Sequence, residues 1–472
     1  MRRWFAAFLT LVVALGVVVV SAGGAAAAPT YDFTVVFKAD GLPANAPDLI
    51  RAAGGQVTLS LPEIGVLEVN GPADLLETLG TNPAVQAVSP VLIQRVGPAR
   101  VVEFSEGDLT GESVVPDLYD RYQWDIKQVT DNGASWALDR GSHNTVVGII
   151  DTGVNPNHPA LKANFLGGRN FVPAGANGDP TETGDPNDYV DRHGHGSHVA
   201  GTIAGNGRIL GVGPDLGFRS YRVFGASGGA PTDWIVAGMI AAVKDKVDVI
   251  SMSIGGYDTM AHWYWTDPAT GITYRGQDVA DFLAWRRAVQ YAVDNGVVVV
   301  AAAGNAAIDI RNPATVTAYL NAEYGPYGFT FVGASREVPG TTPGVVTVSA
   351  TGPDHSLASY SNYGAGAIDV SAPGGDFKRY PQMTPTPWYW DMCLSAYKTN
   401  GYVWMAGTSM ATPKASAVAA LIIDQAKAGG QTLTPAQVVN QLEQTAVDLG
   451  KPAYDGFYGH GQVSAYNALS GR

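Results

Sequence analysis

Four short patches in the 472-residue chain carry side chains able to do acyl-transfer chemistry. They are Ile150-Asp151-Thr152-Gly153, Gly194-His195-Gly196-Ser197-His198-Val199-Ala200-Gly201-Thr202, Ala301-Ala302-Ala303-Gly304-Asn305 and Gly407-Thr408-Ser409-Met410-Ala411-Thr412-Pro413. A serine hydroxyl becomes a useful nucleophile only when a base takes its proton in the transition state, and imidazole suits that task near neutrality. A carboxylate must then hold the ring in one tautomer and stabilise the imidazolium. Donors must also face the developing oxyanion. The patches supply a carboxylate, an imidazole and a hydroxyl in the order Asp151, His195, Ser409. Each residue also has a plain structural reading: Ser409 alone reads as a helix cap, and His198 reads as a packed, hydrogen-bonded core residue.

Positioning these groups requires a scaffold, and its elements are legible as apolar runs. Val146 to Ile150, Val249 to Ile254 and Val297 to Ala303 read as strands buried on both faces, the pattern of a parallel sheet covered by helices. Helical stretches lie between them, around Val199 to Ala204, Trp234 to Val243, Phe282 to Val293 and Ala411 to Ala426. The expected fold class is α/β, a doubly wound, mostly parallel sheet, in which ligands sit at the carboxyl ends of the strands, where Asp151, Gly255 and Asn305 fall. Ahead of it, Tyr31 to about Val96 follows a β-α-β-β-α-β pattern, a small ferredoxin-like α+β module. Gly97 to about Val115 is polar with little periodicity and reads as an exposed linker. At the start, Arg2 and Arg3, the apolar run Trp4 to Val20 and the small residues Ala25 to Ala28 match a secretory signal with cleavage before Pro29. The expected division is therefore residues 1–28 signal, 29–96 module, 97–117 linker and 118–472 main domain. The mature protein is expected to be extracellular and free of the membrane.

The four patches resemble those of the subtilisin-like serine peptidases, and the 29–96 module resembles the inhibitory propeptide that precedes their catalytic domain. Gly-Thr-Ser-Met-Ala-Thr-Pro is among that family's most specific signatures. The resemblance implies a secreted serine endopeptidase that acts on protein or peptide substrates and is made as a self-processing zymogen. Its own propeptide is then an intramolecular inhibitor, released by a cut in the 97–115 region. By position, Ser409 resembles the nucleophile, His195 the base, Asp151 its orienting partner and Asn305 the side-chain oxyanion donor. Ser253-Ile254-Gly255 and Ala303-Gly304 resemble the backbone edges that flank substrate, with Ser227 to Gly229 a third edge. No cofactor is required by this chemistry.

Two rival readings remain. His193, His195 and His198 resemble the metal-binding run of metallo-β-lactamase-like hydrolases, with Ser197 where those carry aspartate. A subtilase-shaped binding protein without turnover is the other. Asp-Thr-Gly also occurs in aspartic peptidases, which need two such carboxylates; no second copy occurs here. Where many subtilases carry an acidic calcium ligand shortly after Asp-Thr-Gly, this sequence has Ala160. The acidic run Asp179, Glu182, Asp185, Asp188 and Asp191 offers the oxygen ligands calcium prefers, or is a solvated loop.

Insertions at about Tyr257 to Asp278 and Ile308 to Pro343, and the aromatic segment Tyr380 to Trp390, exceed the usual core. Trp263, Trp265, Trp388 and Trp390 either border the cleft or pack within their own loops. No fixed charge after Ala306 demands a charged residue before the scissile bond, so apolar preference is the default. A net charge of −13, without a basic cluster, argues against a nucleic-acid partner. The single cysteine, Cys393, closes no intramolecular disulfide and reads as a small buried residue.

Overall fold

A computed structural model describes residues 29–471 apart from 40, 105–117, 261 and 278. The signal segment and most of the expected linker lie outside these residues.

Seven parallel strands form the central sheet, in the spatial order Val370–Pro373, Val345–Thr351, Val298–Ala302, Val249–Met252, Val146–Asp151, Gly217–Arg222 and Phe165–Asn170. The central strands are Val/Ile/Ala-rich because both faces are covered. His195–Ala204 and Thr408–Ala428 pack on one face, and Thr232–Lys244 and Ala280–Asp294 on the other, giving two apolar cores. The doubly wound α/β fold is thus as the apolar runs foretold.

The N-terminal module is a four-stranded antiparallel sheet, ordered Gln56–Leu61, Val66–Gly71, Tyr31–Phe37, Val85–Pro90, with helices Ala46–Ala52 and Leu75–Gly80. It docks on the N-terminal ends of the two helices of the second face. Thr34 Oγ1 donates to Asp233 at 2.7 Å, Leu92 N to Asp281 at 3.1 Å, and Ala280 N to Ser89 Oγ at 3.1 Å. Arg287 also donates to the carbonyls of Phe37 and Ile64, both at 2.7 Å. Burial at this seam pushes Glu68 up to about 7 and Asp281 up to about 6, and raises Asp233 well above the usual carboxylate range.

The insertions support this module, and three of their residues, Tyr257, Tyr319 and Glu323, also reach the cleft. They form a three-stranded antiparallel sheet (Thr273–Gln277, His262–Thr266, Phe329–Val332), a two-stranded ribbon (Gly256–Thr259 with Ser335–Val338) and the helix Pro313–Tyr324. Trp263 and Trp265 share one apolar cluster with Phe33 and Val35 of the module, and Trp265 meets Tyr31 edge to face at 5.0 Å.

The start of the expected linker is not exposed coil. Arg100–Glu103 pairs antiparallel with Tyr402–Ala406, and just before the linker, Ile93–Arg95, the end of the expected module, pairs with Gly229–Pro231. The stretch is too short for its alternation to register, and its partner strands are remote in sequence. No helix among the described residues is long and apolar enough to cross a membrane.

Candidate active site

Every element that carries a candidate residue ends at the same rim of the sheet. Asp151 closes the Val146–Asp151 strand, Ser253 and Gly255 follow Val249–Met252, and Asn305 follows Val298–Ala302. His195 opens one covering helix and Ser409 lies in the first turn of another. This is the carboxyl-end crevice where open α/β sheets bind ligands.

Asp151 and His195 are fully buried and paired: Nδ1 lies 2.8 Å from Oδ1 and 2.9 Å from Oδ2. A carboxylate only accepts, so Nδ1 carries the proton and Nε2 keeps a free lone pair. That Nε2 is buried and meets no hydrogen-bond partner among the described residues. Close docking of the histidine's helix makes the pairing reachable. A Cβ on Gly196 would lie 2.1 Å from the Gly153 carbonyl, so no larger residue fits there.

Asp191, expected in a calcium site or a solvated loop, instead holds this helix. It accepts from Gly194 N at 2.7 Å, Ser197 N at 2.9 Å, Ser197 Oγ at 2.7 Å and Thr152 Oγ1 at 2.9 Å. Its position shortly before an apolar helix is an N-terminal capping signal that could have been read. Glu182 is engaged by Arg222, with both oxygens at 2.7 Å, and Asp188 by Arg192 at 2.7 Å. No group of three or more His, Cys, Asp or Glu converges for a metal among the described residues.

Ser409 is 3% exposed. Its Oγ donates to the Ser253 carbonyl at 3.2 Å, and Ser253 Oγ returns a bond to the Ser409 carbonyl at 2.8 Å. Asn305 Oδ1 accepts from Thr408 N and Thr408 Oγ1, both at 2.9 Å, which turns its amide nitrogen toward the strand-to-helix bend at Gly407. Asn362, absent from the motifs, fixes the Asn305 loop by donating to the Ala303 carbonyl at 2.8 Å and accepting from Ala306 N at 3.1 Å.

Ser253, Gly255, Gly304, Asn305 and Ser409 line one pocket. Ile254 and Ala303, named with them for their backbone edges, bury their side chains in the apolar cores. The pocket's far side holds Tyr257, Tyr319 and Glu323, so a carboxylate does stand where sequence reading expected no charge. Burial raises the Glu323 carboxyl, and nearby Arg95 opposes that.

The chain's own residues thread this cleft. Val96 N donates to the Gly228 carbonyl at 2.9 Å, making the Ser227 to Gly229 edge the one that is paired. Gly97 lines the pocket beside Ser409 without filling it. A Cβ on Gly407 would lie 3.3 Å from Ala99 N and from Pro98 Cα, so the segment passes directly over the turn that leads into Ser409.

The remaining candidates separate. His198 is core: its Nε2 meets the Cys393 carbonyl at 3.1 Å, and burial drives its pKa down to about 3. His195 Nδ1 is taken by Asp151 and His198 Nε2 by the Cys393 carbonyl, and no group of three or more His, Cys, Asp or Glu converges for a metal among the described residues. Cys393 is fully buried, and burial pushes its thiol well up.

A family model described as the subtilase family matches residues 142–461. The chain belongs to that family of serine proteases. The nisin leader peptide-processing serine protease NisP of Lactococcus lactis subsp. lactis is 36% identical over 319 residues, 66% of this chain and 44% of that protein. The epidermin leader peptide-processing serine protease EpiP of Staphylococcus epidermidis is 28% identical over 433 residues, 89% of each chain. A crystal structure of EpiP from Staphylococcus aureus superposes with a TM-score of 0.77 at 29% identity, covering 94% of this chain and 98% of that one. The subtilase fold therefore extends beyond the residues matched by the family model.

Proposed function

We propose that this subtilase is an exported serine endopeptidase in which Ser409, His195, Asp151 and Asn305 perform the chemistry on extended peptides. The observation that carries the reading is the buried Asp151–His195 pair, its Nε2 open, on the same rim as Ser409 in its helix-opening turn. Ser409 Oγ leaves the Ser253 carbonyl and attacks the scissile carbonyl carbon as its proton passes to His195 Nε2. Asp151 stabilises the resulting imidazolium. The oxyanion is held by the Asn305 amide and the Ser409 N–H at a helix N-terminus. The proton then goes to the leaving amine, and water repeats the sequence on the acyl-enzyme.

Residues 29–96 act as the intramolecular inhibitor. The antiparallel seating of Ile93–Arg95 and Arg100–Glu103 on either side of Ser409 supports this, because it occupies the edges an extended substrate would use. Export rests on the Arg2-Arg3 and Trp4 to Val20 pattern. Removal of leader peptides is the proposed task, by likeness to the two leader peptide-processing relatives.

Glu323 sets the preference for the residue before the cut. A basic side chain entering the pocket that Gly97 leaves open would pair with it. Peptides ending in Arg or Lys at that position are therefore cleaved faster than Leu peptides, and Glu323→Gln lowers kcat/KM for the Arg peptide at least about tenfold while sparing the Leu peptide. Fluorogenic peptides varied at this one position test both points. A wild-type enzyme that cleaves Leu peptides faster than Arg peptides would refute the Glu323 assignment, and one that cleaves neither would refute the peptidase reading.

A further inference from the structure

From the seating of Arg100 we infer a second specificity subsite, an aromatic cage on the leaving-group side of the cleft that selects a cationic side chain. The inference rests on the endopeptidase reading above.

The Arg100 guanidinium carbon lies 4.3 Å from the ring centroid of Tyr380, 5.0 Å from Trp388 and 5.7 Å from Phe377. All three are within the range where the negative face of a ring attracts a cation. No carboxylate pairs with Arg100 among the described residues, so the rings are its recognition. The cage is built and braced. Tyr380 and Trp388 meet edge to face at 5.0 Å, Phe377 stacks on Tyr360 at 5.6 Å, and the Tyr360 hydroxyl donates to the Gly375 carbonyl at 2.7 Å. Arg379 ties the loop together through Asp391 at 2.9 Å and the Thr386 carbonyl at 3.1 Å.

Register delivers a substrate side chain to this cage. Arg100 pairs with Ala406, the last residue of the Tyr402–Ala406 strand, which runs through Gly407 directly into the Ser409 turn. Any peptide that adds a strand to that edge presents one side chain, at a fixed distance past the scissile bond, to the same rings. Tyr380 is 54% exposed, so the cage stays open to an incoming chain once residues 93–103 leave. Arginine suits it better than lysine because its flat guanidinium stacks on rings. The excess of acidic over basic residues, 42 against 29, also favours approach of cationic peptides.

The test is an arginine scan by the processed enzyme. Peptides identical up to the cut carry a single Arg, Lys or Gln at each of the first few following positions, and kcat/KM is measured for each. One position should favour Arg over Gln by about three- to tenfold. At that position Tyr380→Ala should bring the ratio close to one and Tyr380→Phe should keep it, a difference that a merely structural tyrosine would not produce. Cleavage with no position preferring Arg, or a preference unchanged in Tyr380→Ala, overturns the cage and leaves the peptidase reading intact. Failure to cleave any peptide overturns both.

Discussion

Ser409→Ala lowers kcat on the order of 10⁶-fold, the scale left when only oxyanion donors and binding remain. Expressed in a protease-deficient host, the same variant accumulates as an uncut precursor with its N-terminal module attached. The fold survives the change, since the hydroxyl makes one 3.2 Å bond to a carbonyl and the larger contacts of its helix are apolar. Intact-mass analysis of the purified product reads the outcome. Normal maturation of the variant would falsify self-processing.

Asp151→Asn keeps the shape of the site and reverses its logic. An amide at this place can donate to Nδ1, which moves the ring proton to Nε2 and removes the lone pair that should accept from Ser409. A loss of about 10⁴-fold in kcat follows, with little change in KM. The depth of burial sharpens the expectation. Both side chains are fully buried, so water cannot substitute for the carboxylate. Steady-state kinetics on a fluorogenic peptide, using enzyme freed of its N-terminal module by an added protease, measure the effect. Retention of more than a tenth of wild-type kcat would mean that Asp151 does not set the tautomer.

Much of this site was legible because its parts sit at the ends of locally encoded elements. Val146 to Ile150 announces a buried strand by composition alone, and Asp151 follows immediately. Gly407 to Pro413 announces a turn that opens a helix. What escaped reading depends on partners far away in sequence. Arg100–Glu103 becomes a strand only because Tyr402–Ala406 offers an edge, and no periodicity in four residues could reveal that. Glu323 sits on a helix inside an insertion, and its approach to the pocket follows from how that helix packs. The tryptophans split: Trp263 and Trp265 bury themselves under the N-terminal module, whereas Trp388 packs in the main core with Arg100 over its ring. In sequence Asp191 looks like its acidic neighbours, because charge runs look alike, although it is the one that caps the helix of His195.

Reaction with a fluorophosphonate, followed by peptide mapping of the adduct, probes the activated hydroxyl itself. A single adduct on Ser409 is the expected result, because only a hydroxyl whose proton an adjacent imidazole can take is activated toward the phosphorus. An adduct on another residue, or undiminished peptide cleavage by enzyme that takes up no label, would contradict it.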